Sequence, residues 1–147
     1  MNFLNKLFSF FKTEKKIKLG LALGSGGAKG FAELGAIRAF EENGIEFDVI
    51  AGTSIGSIVG AFYASGYSST DILELIKKMN FLEILSAPFI GMDTSGMRSV
   101  IDNQIGYLEF EDLKKSFKAV ATEMDTGNEK VFESGSVADA LCASSCM

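Results

Sequence analysis

The stretch that most constrains this chain is residues 50–60, IAGTSIGSIVG, and within it Gly52-Thr53-Ser54-Ile55-Gly56. The pattern G-x-S-x-G describes a sharp turn from a strand into a helix with a serine at its apex. A serine so placed sits in a strained backbone conformation, and side chains at the flanking glycines would strike the neighbouring strand and helix. The surroundings fit: Phe47-Asp48-Val49-Ile50-Ala51 reads as a buried strand, and Ile55 to Ser65 as a buried helix of small and apolar residues. Ser54 then lies at a helix N-terminus, where the dipole and unpaired backbone N–H groups favour developing negative charge. A turn eased by glycine, with the serine only a cap, would carry the same letters.

The sequence contains no histidine. A Ser-His-Asp triad is therefore impossible, and a nucleophilic Ser54 must pass its proton to a carboxylate, a lysine or water. The absence of histidine also leaves the two cysteines, Cys142 and Cys146, without partners for a metal site. Neither a metal nor a cofactor is expected. Two cysteines make no disulfide framework, and they read as buried thiols of an intracellular protein.

Upstream, Ile17 to Leu23 reads as a first buried strand. It enters the loop Gly24-Ser25-Gly26-Gly27-Ala28-Lys29-Gly30, and Phe31 to Asn43 follows as a helix with Gly44 as its cap. A strand, a glycine-rich loop and a helix form a cradle of backbone N–H groups for an anion. A dinucleotide loop would need glycine where Lys29 stands, and a phosphate-binding loop would need Gly-Lys-Ser/Thr where the order is Lys29-Gly30-Phe31. The remaining anion is the oxyanion of an acyl-transfer intermediate, which needs about two N–H donors near the serine. A loop that merely lets helix and strand pack closely is the alternative. Two adjacent parallel strands would bring both loops to one edge of the sheet.

Together, IKLGLALGSGGAKG, the helix after it and DVIAGTSIGSIVGAFYASG resemble the patatin-like phospholipases, especially their bacterial members, over most of residues 17–147. The resemblance implies an α/β fold, a mainly parallel sheet flanked by helices. It implies Ser54 as the nucleophile in the elbow Gly52, Thr53, Ile55 and Gly56, and an oxyanion loop at Gly26, Gly27, Lys29 and Gly30. Ser25 stands where many members have another glycine. The family works through a Ser–Asp dyad, in keeping with the missing histidine, on acyl esters of lipids. Its aspartate belongs to a later Asp-Gly-Gly or Asp-Gly-Ala motif, whereas this sequence has no Asp-Gly dipeptide and Asp139 does not match. The expectation is a domain lacking its C-terminal part, with the base beyond Met147 and poor solubility when isolated. A lipid-binding domain without turnover is the alternative function.

Charge is uneven. The net charge is −5, while residues 1–18 hold five lysines and one glutamate. The acidic remainder argues against a nucleic-acid partner. Within residues 1–16, Phe3, Leu4, Leu7, Phe8 and Phe11 share one helical face beside Lys12, Lys15 and Lys16. Such a segment can lie on an anionic membrane or pack on protein, so the localisation expected is cytoplasmic with peripheral membrane contact. Nothing in the pattern sets an oligomeric state.

Further along, Ser69 to Met79 reads as a helix capped by Ser69 or Thr70. Phe81 to Met92 is apolar and contains Pro88, as a lid over an acyl pocket or as core. Gly96 to Gln104 and Glu111 to Ser116 read as short helices, Phe117 to Glu123 as a strand, and Asp125-Thr126-Gly127-Asn128 as a turn before a strand at Val131-Phe132. Residues 136–147 read as a helix.

Overall fold

Among the described residues, four strands in the order β1-β2-β3-β4 make the sheet: β1 (Gly20–Leu23), β2 (Val49–Thr53), β3 (Ser116–Thr122) and β4 (Glu129–Phe132). The computed structural model describes residues 18–78 and 95–145. The N-terminal amphipathic segment and the apolar stretch 81–92 lie outside the described residues. β1, β2 and β3 are parallel, and only β4 runs antiparallel, through the hairpin at residues 123–128. The α/β expectation holds.

Between the strands run α1 (Gly30–Glu42), α2 (Ile55–Ala64), α3 (Ser69–Lys78) and α4 (Ser95–Ile105), and α5 (Val137–Ser145) follows β4. Every residue of α2 is buried, because it is enclosed by the sheet, α1, α3 and α5. Its composition suits that place. Gly60 lets the helix lie flat on the sheet, since a Cβ there would sit 2.9 Å from the Phe117 ring and 3.2 Å from Ile50 Cγ2. Ile50, Val59, Phe62, Val137 and Leu141 fill the space around it. α1 buries Gly30, Leu34 and Ile37, one stripe at helical spacing. Its end is closed by Gly44 at φ 67°, with the Ile45 N–H bonded to the Phe40 carbonyl at 2.9 Å.

Of the boundaries that differ from expectation, four have a visible cause. β1 begins at Gly20, because the Leu19 N–H is drawn to the Asp48 carboxylate at 3.0 Å instead of joining the ladder. β2 spans Val49–Thr53, two residues later than read, since its register against β3 runs from Val49↔Ser116 to Thr53↔Val120. Where a helix was read at residues 111–116 there is one 3-10 turn, Phe110–Asp112, and Ser116 already belongs to β3. The cap of α3 is Ser68, whose N–H and Oγ both donate to Asp71 Oδ2 at 3.1 and 2.6 Å, while the Asp71 N–H returns to Ser68 Oγ at 3.2 Å.

Candidate active site

Ser54 joins β2 to α2 with φ 53° and ψ −123°, and among the described residues it is the only non-glycine with positive φ. An L-residue there is strained, and the surrounding structure must hold it in place. The hold is visible on both sides of the residue. Its carbonyl accepts the Ser57 and Ile58 N–H groups at 2.9 and 3.2 Å and the Ser57 hydroxyl at 2.6 Å. Its own N–H donates to Ser144 Oγ at 2.8 Å.

The flanking glycines are a steric requirement. A Cβ on Gly52 would lie 2.5 Å from the Gly56 carbonyl carbon and 2.6 Å from the Ser57 nitrogen. One on Gly56 would lie 2.5 Å from the Gly24 carbonyl oxygen and 2.6 Å from that of Leu23. The elbow is thus packed backbone to backbone against the end of β1, where the glycine loop starts. On the far side of that loop a Cβ on Gly30 would lie 2.5 Å from Ile55 Cγ1. The two sequence motifs are brought together, as two parallel strands side by side require.

Inside the loop, Gly26 and Gly27 have φ 142° and 55°, conformations that favour glycine. Gly27–Lys29 forms a 3-10 turn leading straight into α1. The Lys29 N–H closes that turn onto the Gly26 carbonyl at 3.1 Å, and the Gly30 N–H turns back to the Ala28 and Gly27 carbonyls. Among the described residues, the N–H groups of Gly27 and Ala28 have no acceptor.

Two polar residues that sequence reasoning passed over complete the surroundings. Glu33, in the first turn of α1, accepts the Gly24 N–H on Oε1 at 2.5 Å, while its Oε2 is buried without a hydrogen-bond partner among the described residues. Burial pushes this carboxyl above its ordinary value, and the Gly24 N–H pulls the other way. An acidic residue in the first turn of a helix was the available signal. Ser144, near the end of α5, is 90 residues from Ser54 in sequence, and no local pattern marks it.

Other candidates lie elsewhere. Asp139 is ion-paired with Arg98 on the surface. Asp125, Thr126 and Gly127 form the hairpin turn, with the Gly127 N–H on the Glu123 carbonyl at 2.8 Å and Gly127 at φ 72°. A cleft of about 510 Å³ is lined by Ser65, Gly66, Tyr67, Asp71, Leu75 and Lys114 at the C-terminal end of α2, a helix length from Ser54. Among the described residues no carboxylate is hydrogen-bonded to the Ser54 hydroxyl, no cluster could hold a metal ion, and no helix is long and apolar enough to cross a membrane.

The chain is similar to several known proteins. The chain is 36% identical over 126 residues to lysophospholipase NTE1 of Pyricularia oryzae, covering 80% of this chain and 8% of that protein. It is 34% identical over 128 residues to the mouse patatin-like phospholipase domain-containing protein 7, covering 81% of this chain and 10% of the relative. It therefore spans a tenth or less of the length of these relatives. Among solved structures, the type III effector protein ExoU superposes with a TM-score of 0.62 at 17% identity, over 87% of this chain and 40% of the effector. The model of the patatin-like phospholipase family matches residues 21–147, and this chain is a member of that family.

Proposed function

We propose that this domain hydrolyses acyl esters of lipids through a covalent intermediate on Ser54. The observation that carries the reading is the strained Ser54 held at the head of α2, against the glycine loop. Ser54 Oγ attacks the ester carbonyl carbon, and its proton passes to a carboxylate, as the Ser–Asp dyad of the family implies. The negative charge that forms on the carbonyl oxygen is met by N–H groups of the Gly26–Gly30 loop. Gly27 and Ala28 supply unengaged donors, while Lys29 and Gly30 brace the turn that presents them. The start of α2 adds its dipole. Collapse expels the alcohol, which takes the proton. Water then attacks the acyl-serine, freeing the fatty acid and restoring Ser54.

A lipid substrate is in keeping with the relatives, whose names describe a lysophospholipase and a phospholipase domain protein. In this reading the basic, aromatic residues 1–18 bring the domain to an anionic lipid surface, and a shortened chain lacking them would bind anionic vesicles less than the whole.

The deciding experiment compares hydrolysis of a medium-chain p-nitrophenyl ester by the complete protein and by its Ser54→Ala variant. Loss of hydrolysis with Ser54, by on the order of a thousandfold or more, is the expected result. Equal rates would overturn the reading and leave a domain that binds lipid without turnover.

A further inference from the structure

The nucleophile's own peptide is held by a side chain from the far end of the chain. Thr53 is the last residue of β2 and is in register with Val120 on β3. One residue later the backbone turns away, and the Ser54 N–H no longer reaches β3 directly. Ser144 Oγ stands in the gap: it accepts the Ser54 N–H at 2.8 Å and donates its own proton to the Val120 carbonyl at 2.6 Å. The hydroxyl replaces one rung of the β2–β3 ladder at the point where Ser54 leaves it. Ser144 is 7% exposed, so water does not substitute for it readily.

We infer that Ser144 is a positioning residue for the nucleophile, fixing the positive-φ conformation of Ser54 by clamping its N–H to β3. The inference deepens the function proposed above and rests on it. Two groups meet at this hydroxyl, so it ties together three elements: the elbow, β3 and its own helix α5. The bond also keeps the Ser54 N–H occupied, so the developing oxyanion must take its donors from the glycine loop and the head of α2. Without the hydroxyl, the Ser54 N–H and Val120 carbonyl lose their shared partner, and the elbow is free to relax from its strained geometry. A displaced Oγ then attacks from the wrong position, which slows the chemical step more than substrate binding.

Ser145 provides an internal control. It is equally buried, at 4% exposure, but its Oγ has no hydrogen-bond partner among the described residues. The experiment measures kcat and KM of the complete protein on the p-nitrophenyl ester for Ser144→Ala, Ser144→Thr, Ser145→Ala and Ser54→Ala. The expected pattern is a kcat lower by about tenfold to a hundredfold in Ser144→Ala with KM within about twofold, substantial recovery in Ser144→Thr, and no change in Ser145→Ala. If Ser144→Ala does not fold, Ser144→Cys takes its place, because a thiol is nearly the same shape and a much weaker hydrogen-bonding group. A folded Ser144→Ala or Ser144→Cys variant with wild-type kcat overturns the inference, as does a Thr variant as slow as Ala. In either case an inactive Ser54→Ala leaves the proposed function standing. An active Ser54→Ala brings down both.

Discussion

Gly56 and Gly24 meet backbone to backbone: a methyl group added to Gly56 would lie 2.5 Å from the Gly24 carbonyl oxygen. Residues that are 32 positions apart in sequence are in contact because β1 and β2 are adjacent and parallel, so their loops leave the same edge.

Gly56→Ala is therefore expected to destabilise the domain by about 3 kcal/mol or more, because the obstructing atoms are carbonyl groups of a strand that cannot yield. Gly35→Ala is the matching control. Gly35 lies in α1 with nothing within 4 Å of an added Cβ, so alanine there should stabilise by about 0.5–1 kcal/mol. Urea unfolding followed by circular dichroism distinguishes the two, and equal effects would refute the backbone contact.

Strain at Ser54 has a measurable consequence. Ser54→Gly should abolish hydrolysis and raise stability by about 1 kcal/mol, since glycine adopts φ 53° without cost from a Cβ. A lower melting temperature in the glycine variant would show that the serine side chain stabilises the elbow more than its backbone strains it.

Glu33 sets the sign of one pH dependence. Burial, the larger influence, raises its carboxyl above the ordinary 4.5, outweighing the Gly24 N–H. Its contribution to stability is fully present below pH 4.5 and is lost as pH rises through the raised folded value, because the native state holds the proton longer than the unfolded chain. Glu33→Gln keeps an oxygen for the Gly24 N–H and removes the charge. Its stability relative to the native protein should therefore grow as pH rises from the acid side towards neutrality. Parallel stability–pH curves for the two proteins would contradict this.

Ser68→Ala removes a reciprocal cap of α3, in which Ser68 and Asp71 exchange hydrogen bonds at both ends. The expected loss is about 1 kcal/mol, with no effect on ester hydrolysis. An unchanged unfolding midpoint would place the cap at Ser69 or Thr70, where the sequence pattern alone had put it.

The elbow and the glycine loop were legible because each rests on short-range chemistry. Positive φ at Gly26 and Gly27, close approach at Gly52 and Gly56, and the all-apolar run of α2 leave marks within a few residues. Strand ends were less legible, as at β2, whose limits follow from pairing with β3 some 67 residues away. The same holds for the 3-10 turn at Phe110–Asp112, where strand pairing took Ser116 out of a helix-like pattern.

By itself the sequence determined that a serine would be presented at a strand-to-helix turn beside a glycine-rich loop, without histidine to assist it. Only the tertiary structure decided what holds that serine. Ser144 reaches it from the last described helix, and Glu33 anchors the loop through the Gly24 N–H. The reason is physical: a φ preference or an apolar stripe belongs to a local segment, whereas a hydrogen bond across 90 residues exists only once sheet and helices have packed.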